Sequence, residues 1–420
     1  MTYVVNPPSS ALSDLFTRRS FVAVGALGTL ALAACSSQTK PVAEGSASPG
    51  TASSPASTSA APKEFTGTVE VYPALDEIEI NPIEKVKVTS ADSTLTEVTV
   101  TTAEGQKLAG ALSEDGSSWT STENMLFHST YTVSWTAQDA QGARGQGEST
   151  FSTVSPAYEA DAHMNIADGA SYGIGQIIQF NFSEPVINKA EVEKRITVTG
   201  GGDRAGKFRW YSDYMVRYRP ADKWATNSTV TVTIDIFGLD LGKGMIGNHT
   251  TTRSFKTWNK RYALADNNTK TIKMYVDDVL VREAYITLGN PEWPSVVGQL
   301  PIMEKAESYY FNPGSLELKK GDAHYYEPFW ASWTSRLTSG GVFVHQALPG
   351  AWSSVGAYNV SHGCIGMLPE DVKFFYDTFG VGDIVETINT GYLQADPDDG
   401  YGDWNIPFEN YDDEAWVGNW

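Results

Sequence analysis

Two cysteines in 420 residues constrain how this chain can fold more than any other feature of the sequence. Cys35 ends an apolar run near the N-terminus, and Cys364 ends the tetrapeptide Ser-His-Gly-Cys at positions 361–364. If Cys35 is modified after export, Cys364 has no partner for a disulfide. The folded domains must then be stabilised by hydrophobic cores alone, which a chain of this length permits. An unpaired thiol outside the cytoplasm is an oxidation hazard unless it serves a function.

The N-terminal segment, residues 1–34, has the form of a bacterial signal peptide. Residues 21–34 carry no charge and are too short for a bilayer span, which needs about 20 apolar residues. The stretch Leu-Ala-Ala-Cys at 32–35 resembles a lipobox, in which the cysteine receives diacylglycerol, and the arginine pair at 18–19 resembles a twin-arginine export signal. The alternatives are ordinary secretion and an uncleaved anchor with an unmodified Cys35. Each alternative still places the folded part outside the cytoplasmic membrane.

Residues 35–63 are predicted to form the lipidated cysteine and a flexible linker. Ser, Ala, Thr, Pro and Gly fill 23 of the 28 positions from 36 to 63, so this segment cannot bury enough apolar surface to offset its ordering entropy. A coil of this length has a reach of about 30 Å. The sequence therefore predicts a membrane partner, held through the lipid, and a location on the outer face of the cytoplasmic membrane, facing the cell wall.

The net charge of −20 limits the other partners. Nucleic acid is excluded as a partner, because proteins bind that polyanion through clusters of Lys and Arg. A second, electrostatic attachment to anionic lipid is disfavoured for the same reason.

Residues 64–156 and 157–258 are predicted to form two Ig-like β-sandwich domains. Runs that alternate in period two, such as 94–100 and 229–234, are separated by turn signals at the spacing typical of sandwiches. One short helical turn is expected at 190–194. Neither segment carries the cysteine pair of true immunoglobulin domains. Three histidines of this region are interpreted as structural or surface residues, since no ligand spacing relates them: His128, His163 and His249.

From residue 259 the pattern predicts a third, β-rich domain with few helices, extending to residue 390. A hairpin is expected around Asp277-Asp278, a buried strand at 341–345 and a helix at 369–376. Residues 391–420 carry eight acids and no base, and are predicted to be a C-terminal subdomain. The acidic run at 396–400 misses the EF-hand spacing, so a solvated turn is favoured over a calcium site. Neither a metal nor a cofactor is predicted.

Cys364 is the candidate nucleophile. A thiolate is the reactive form of cysteine, and a neighbouring imidazole can take its proton. His345 and His362 are the candidates for that base. Gly363 permits a positive φ or a close approach of substrate, and the backbone N–H groups of Gly363 and Cys364 are candidate donors to an oxyanion. The alternative is a buried structural cysteine beside two histidines.

These residues resemble the signature of the L,D-transpeptidase family, whose catalytic domain is of the YkuD type. The resemblance extends over most of the mature chain, and suggests an actinobacterial lipoprotein member with two Ig-like domains. The residues that carry it are Gly-Val-Phe-Val-His at 341–345, Ser-His-Gly-Cys-Ile at 361–365, the stretch 289–305 before the active-site lid, 402–407 in the C-terminal subdomain, and 168–175 and 208–210 in the second sandwich.

The resemblance implies a fold and an activity. The fold is mainly β, with two tandem Ig-like sandwiches before the catalytic domain. In this family the signature cysteine attacks the bond between the third residue and D-Ala of a peptidoglycan tetrapeptide stem, and an amine of a second stem resolves the thioester to give a 3→3 cross-link. Cys364 matches that nucleophile, His345 the base and His362 the second histidine. Stem peptides and carbapenem inhibitors are the implied partners.

The chain departs from the family pattern at several positions. Gly366 stands where the family usually has Asn or Arg, Gln346 where close relatives often have Ser, and Pro294-Ser295 where they have Thr-Pro. The lid, residues 306–340, aligns poorly. The candidates for oxyanion stabilisation or substrate binding are Ser361, Gly363, Gly366, the glycine pair Gly340 and Gly341, and Tyr326, which resembles the lid tyrosine of the family.

Two other functions fit the same residues. A relative with this site could hydrolyse the stem as an L,D-carboxypeptidase, or attach a protein to it. A catalytically weak wall-binding lipoprotein, whose Ig-like domains do the work, is the alternative of a different class. Gly366 favours that alternative, whereas the intact Cys364, His345 and His362 oppose it.

Overall fold

The computed structural model describes residues 63–156, 158–322 and 325–420. The predicted signal peptide, Cys35 and the linker up to residue 62 lie outside the described residues. Within these ranges, no helix is long and apolar enough to cross a membrane. The same ranges hold no group of three or more His, Cys, Asp or Glu side chains arranged to bind a metal ion.

The first sandwich consists of two four-stranded sheets, with the orders β1-β3-β6-β5 and β2-β8-β7-β4. The bounds of the strands are β1 Val69–Tyr72, β2 Glu77–Ile80, β3 Lys87–Ser90, β4 Ser93–Thr102, β5 Gly110–Leu112, β6 Ser118–Ser121, β7 Thr130–Asp139 and β8 Arg144–Thr153. Alternation in β7 turns Tyr131 and Val133 into the core. Tyr131 stacks on Phe151 of β8, its partner in the antiparallel register, with 5.4 Å between ring centroids.

The second sandwich repeats this plan, with sheets β10-β12-β15-β14 and β11-β19-β16-β13 and a small third sheet, β17-β18-β9. Its elements are β9 Tyr158–Ala160, β10 Ala162–Met164, β11 Ser171–Tyr172, β12 Ile178–Phe182, α1 Lys189–Lys194, β13 Ile196–Gly200, β14 Gly206–Ser212, β15 Met215–Pro220, β16 Thr229–Asp235, β17 Asp240–Gly242, β18 Met245–Gly247 and β19 Thr250–Thr257. The expected helical turn is therefore present as α1. Val230, Val232 and Ile234 of β16 alternate into the core, as period-two patterning predicts.

The third domain is built on a nine-stranded sheet with the order β23-β28-β20-β21-β22-β27-β26-β25-β24. Its elements are β20 Arg261–Asp266, β21 Thr271–Val276, β22 Val279–Thr287, β23 Gly298–Pro301, β24 Glu304–Phe311, a 3₁₀ helix Pro313–Leu316, β25 Phe329–Arg336, β26 Phe343–Gln346, a 3₁₀ helix Pro349–Ser354, β27 Ile365–Met367, α2 Pro369–Thr378 and β28 Ile384–Ile388. The prediction of a mainly β chain with few helices is confirmed.

Two local predictions in this domain have different outcomes. The hairpin between β21 and β22 turns at Asp277 and Asp278, whose φ values of 49° and 64° are those of a tight hairpin turn. The predicted strand 341–345 begins only at Phe343, because Gly340 and Gly341 form the turn that precedes it. Gly341 has a φ of 103°, a conformation that L side chains rarely adopt.

The C-terminal segment carries two 3₁₀ helices, Gly402–Asn405 and Phe408–Asn410, and packs against β14 and β15 of the second sandwich. Within the acidic run at 396–400, the expectation of a solvated turn fails for Asp399, which is half-buried and accepts the N–H of Gly340. Beyond that run, a further acid is buried as well. Asp403 is fully buried and pairs with the buried Arg217 at 3.1 Å. Asp398, by contrast, is largely exposed, as a solvated turn requires.

Candidate active site

The site is organised by two parallel neighbours at the middle of the large sheet, β26 and β27. Their register pairs Val344 with Ile365 and His345 with Gly366. Because side chains alternate across a sheet, Val344 and Ile365 face the main core of the domain. Cys364 packs on the other face, in a smaller cluster built around Phe343. Phe343 and Cys364 therefore lie in one cluster because the two strands pair in this register, and His345 contacts the same cluster through Phe311.

His345 is buried and its ring is oriented by the main chain. Nδ1 lies 2.8 Å from the carbonyl oxygen of Gln346. A carbonyl only accepts hydrogen bonds, so Nδ1 carries the proton and Nε2 is left as a proton acceptor. Burial lowers the pKa of His345, partly opposed by this hydrogen bond, so the ring is neutral and able to act as a base. The replacement of Ser by Gln at 346 is harmless to this arrangement, because the backbone makes the contact.

The Cys364 thiol is protonated in the resting site. Cys364 is a free cysteine with only 8% of its surface exposed, and its Sγ donates to the carbonyl oxygen of Gly341 at 3.5 Å. Burial raises the pKa of this thiol to about 11, although the backbone N–H of Phe343 and the Arg336 guanidinium act in the opposite direction. With a neutral imidazole and a neutral thiol, proton removal has to accompany the attack on substrate.

The loop that carries Cys364 is braced from within. Ser361 Oγ donates to the carbonyl of Cys364 at 2.7 Å and accepts the N–H of Gly363 at 3.2 Å. Gly363 has a φ of 110°, which explains why this position requires glycine. The Gly363 N–H thus already has an acceptor, which corrects its expected role as an oxyanion donor. In the described part of the chain the N–H of Cys364 donates no hydrogen bond, so it is the donor left for an oxyanion.

Tyr326 and His362 lie together at the mouth of the site. His362 is exposed, and its ring lies 5.3 Å from that of Tyr326 and 5.8 Å from that of Trp293. Burial raises the pKa of Tyr326, and the charge of a Cys364 thiolate raises it further, so the phenol keeps its proton. Tyr326 therefore stands at the site as a hydroxyl donor. His345 is the buried histidine of the two, whereas His362 is exposed.

The lid is a hairpin of β24 and β25, and aromatic side chains on it cover the thiol. Phe311 packs against both Phe343 and the His345 ring, at centroid distances of 4.9 and 5.4 Å. Phe329 stacks on Phe311 at 5.0 Å and contacts Tyr326 at 5.8 Å. These rings exclude water from the nucleophile and the base, which strengthens electrostatic interactions inside the site.

The glycine pair before β26 has two separate contacts. Gly341 presents its carbonyl to the Cys364 thiol, as noted above. The N–H of Gly340 donates to the carboxylate of Asp399. The expectation that both residues present backbone groups to a stem peptide is therefore corrected for Gly340, whose donor is already used.

Gly366 lies within β27, between its partners on β22 and β26. It is buried, and a Cβ built on it would lie 2.8 Å from Cγ2 of Thr287, its register partner on β22. The Thr287 hydroxyl donates to the carbonyl of Tyr358 at 2.8 Å and accepts the N–H of Val360 at 3.1 Å. Thr287 thus fills the space that a larger side chain at 366 would need, and it holds the backbone that leads to the motif. Gly366 is a packing variation and gives no support to a degenerate site.

Two residues that support the site carried no recognisable motif. Ser295 is buried, donates to the carbonyl of Gly363 at 2.8 Å and accepts the N–H of Gly289 at 2.9 Å. It is the residue at which the chain departs from the Thr-Pro pattern, and that departure is its only signal. Arg336 ends β25, donates to the Tyr309 hydroxyl at 2.7 Å and places its guanidinium 4.7 Å from the Phe343 ring. Its charge opposes the rise in the pKa of Cys364 that burial causes.

A thiol, a neutral imidazole with a fixed tautomer and an unengaged N–H, all beneath a dry aromatic lid, are the parts needed for acyl transfer to and from sulfur. The fold and the site together define a cysteine acyltransferase that follows two Ig-like sandwiches.

Comparisons with known proteins agree with this class. A model of the bacterial Ig domain matches residues 77–240, and a model of the L,D-transpeptidase catalytic domain matches residues 260–387. L,D-transpeptidase 2 of Mycobacterium tuberculosis is 32% identical over 326 residues, which are 78% of this chain and 79% of that protein. L,D-transpeptidase 5 of the same organism is 27% identical over 347 residues, 81% of this chain and 75% of that protein. The chain belongs to the L,D-transpeptidase family and is an enzyme of that kind.

Among solved structures, an L,D-transpeptidase in complex with imipenem is 25% identical to this chain. The match covers 56% of this chain and 100% of that one, with a TM-score of 0.48.

Proposed function

We propose that this enzyme forms 3→3 cross-links between peptidoglycan stems through a thioester on Cys364. The observation that carries the proposal is the His345 ring, held by the Gln346 carbonyl so that Nε2 is the proton acceptor in the same buried site as the thiol. The donor is a tetrapeptide stem, and the acceptor is the side-chain amine of the diamino acid in a second stem.

Acylation begins with attack by Cys364 Sγ on the carbonyl carbon between the third residue and D-Ala. The thiol proton passes to His345 Nε2 as the carbon–sulfur bond forms. The oxyanion accepts the N–H of Cys364, with the Tyr326 hydroxyl as a second donor from the lid. Collapse of this intermediate breaks the carbon–nitrogen bond, and D-Ala leaves with the proton from His345.

Transfer reverses these steps with a new amine. The amine of the second stem attacks the thioester carbonyl and gives a proton to His345, and the Cys364 thiolate leaves and regains that proton. The dry lid disfavours water as the acceptor, since Phe311 and Phe329 cover the site. This favours transpeptidation over the carboxypeptidase alternative.

Two further parts of the proposal concern inhibitors and location. A carbapenem presents an acylating carbonyl of the same reactivity, and we expect it to form a thioester with Cys364. The lipobox-like stretch at 32–35 supports lipidation of Cys35, with the enzyme tethered to the outer face of the cytoplasmic membrane. Replacement of Cys35 by Ser should then release an active enzyme from membranes, and retained membrane association would contradict the anchor.

The test of the chemistry is the intact mass of residues 36–420 after incubation with imipenem. One adduct on the wild-type protein, absent from Cys364→Ala with an unchanged melting temperature, is the expected result. His345→Ala should slow acylation by about 100-fold or more, as loss of a general base does. A tetrapeptide donor supplied with an amine acceptor then separates the functions: a cross-linked dimer supports the proposal, whereas tripeptide alone identifies a carboxypeptidase.

A further inference from the structure

The turn between β25 and β26 carries the carbonyl that accepts the hydrogen bond of the Cys364 thiol. Leu337 N–H donates to the carbonyl of Val342 at 2.8 Å, which closes the turn, and Gly341 at its tip accepts the Cys364 thiol. Val342 N–H donates to the hydroxyl oxygen of the buried Thr338 at 3.1 Å. The position of the Gly341 carbonyl, and with it that of the sulfur, therefore depends on how firmly this turn is held.

Asp399, far away in sequence, holds the turn from outside the sheet. Its carboxylate accepts the N–H of Gly340, and it also interacts with the Thr338 side chain. A Cβ on Gly340 would lie 2.9 Å from Asp399 Oδ2, so only glycine admits the carboxylate at this distance. Gly400 approaches as closely, since a Cβ there would lie 2.6 Å from the carbonyl oxygen of Leu337.

The segment that carries Asp399 is itself fixed to the second sandwich. Arg217 Nη1 of β15 donates to the carbonyl of Pro397 at 2.7 Å and to the buried Asp403 carboxylate at 3.1 Å. Asn165 donates to the Tyr401 hydroxyl at 2.9 Å. Asp399 thus lies between two anchored points, and its carboxylate has little freedom to leave the turn.

We propose that Asp399 is a positioning residue for Cys364, acting through the Gly340–Gly341 turn. It fixes the Gly341 carbonyl that orients the thiol, and so keeps Sγ on the line of attack. The inference deepens the proposed acyl transfer and rests on it. The contacts of Asp399 are with the turn and not with the thiol, so its loss should lower the rate at which Cys364 attacks a substrate and leave the thiol itself reactive.

The experiment compares Asp399→Ala with Asp398→Ala, the neighbouring and largely exposed carboxylate. We expect Asp399→Ala to slow acylation by imipenem about 10- to 100-fold, the usual consequence of a misplaced reacting group. Asp398→Ala should acylate at the wild-type rate. Alkylation by iodoacetamide, a small reagent with no need for alignment, should not be slowed in Asp399→Ala. The Gly341 carbonyl accepts the S–H group and so favours the protonated thiol. If Asp399→Ala displaces this carbonyl, the pKa of the thiol should fall, and the pH profile of alkylation should move to lower pH.

A second variant disturbs the contact between Asp399 and Gly340 by changing Gly340 instead of Asp399. Gly340→Ala places a methyl group against Asp399 Oδ2, and should slow acylation like Asp399→Ala. In the double variant the clash is gone, so the two effects should not add. Wild-type acylation in either single variant, additive effects in the double variant, or parallel losses of acylation and alkylation would overturn the inference. If Asp399→Ala does not fold, Gly340→Ala decides alone.

Failure of the proposed function and failure of the positioning role give different results in these experiments. A wild-type protein that imipenem fails to acylate contradicts the proposed chemistry. The alkylation profile still tests the turn in that case, and an unchanged profile in Asp399→Ala would refute the positioning role.

Discussion

The two β-sandwiches of this enzyme share a fold but differ in how they are attached. Among the described residues, the first sandwich makes two hydrogen bonds to the second. Asn81 Nδ2 donates to the carbonyl of Gly238 at 2.8 Å, and His128 Nε2 lies 2.7 Å from a carboxylate oxygen of Glu159. The second of these contacts lies between exposed side chains, where such pairs contribute little.

The second sandwich is joined to the catalytic domain through main chain and buried charge. Gly173 N–H donates to the carbonyl of Val381 at 2.8 Å, and Gly175 N–H to that of Gly382 at 2.9 Å. Across the C-terminal segment, Arg217 pairs with a carboxylate in the core of the junction. Two domains of one fold are thus attached differently: main-chain and buried ionic contacts join the second sandwich to the rest of the enzyme, and fewer polar contacts join the first sandwich to the second.

The largest predicted difference between the two junctions concerns Arg217. Arg217→Met would leave the Asp403 carboxylate buried without its cation, which costs about 3–5 kcal/mol in the free energy of unfolding. Asn81→Ala at the first junction should cost about 1 kcal/mol, the value of one ordinary hydrogen bond. Urea unfolding of both variants measures the difference. Equal losses would mean that the buried pair does not distinguish the junctions.

Gly173 gives a smaller effect of the same kind. A Cβ on Gly173 would lie 2.2 Å from the backbone N of Asp383, so Gly173→Ala forces the second sandwich away from the catalytic domain. Overpacking of this kind costs about 1–3 kcal/mol. At the first junction, Gly238→Ala meets the Ile83 side chain and a φ of 71°, so it should also lose stability. The rate of acylation by imipenem distinguishes the two variants, because only Gly173→Ala should slow it. A normal rate in Gly173→Ala would contradict a supporting role for the second sandwich.

Much of the fold follows from local patterns in the sequence. Alternation in period two predicts β7 and β16, and the burial of alternate residues in both strands agrees with it. The pair Asp277-Asp278 predicts the turn of the β21–β22 hairpin, where both residues have a positive φ. Cys364 and His345 can be found because both belong to recognisable motifs that lie within 20 positions of each other in this chain. These features depend on neighbours in sequence, which a single sequence displays.

The features that sequence reasoning missed depend on pairs far apart in the chain. Asp399 meets a turn about sixty positions away, and Arg217 meets an aspartate 186 positions away. The burial of Asp403 has no local sign in the acidic C-terminal segment, because its partner Arg217 lies on β15. Gly366 was interpreted as a lost polar group because its neighbour Thr287 is on another strand. In each case the chemistry of one residue is set by a partner that the sequence does not place beside it.

A third prediction uses pH to probe the second junction. Asp383 is buried, accepts Trp258 Nε1–H at 2.7 Å, and burial raises its pKa from 3.8 to about 7. The folded protein then binds more protons than the unfolded chain between about pH 4 and 7, so the contribution of this group to the free energy of unfolding falls as the pH rises through that range. Each unit of pKa difference is worth about 1.4 kcal/mol.

Asp383→Asn should remove this part of the pH dependence. The difference in unfolding free energy between wild type and variant, measured from pH 4 to 8, is expected to decline steadily and then level off. A difference that is constant across this range would show that Asp383 does not titrate in the folded protein.

The smallest effect is expected from removing the first sandwich altogether. A soluble chain that begins at residue 157 keeps the contacts of the second sandwich with the catalytic domain, the Arg217–Asp403 pair and the Asp399 contact with the active-site turn. Because the first sandwich contributes to none of these, the rate of imipenem acylation should be that of the longer protein. A slower rate with an unchanged melting temperature would mean that the first sandwich acts on the site through the second, and the two domains would then be one support. An unchanged rate would assign support of the site to the second sandwich.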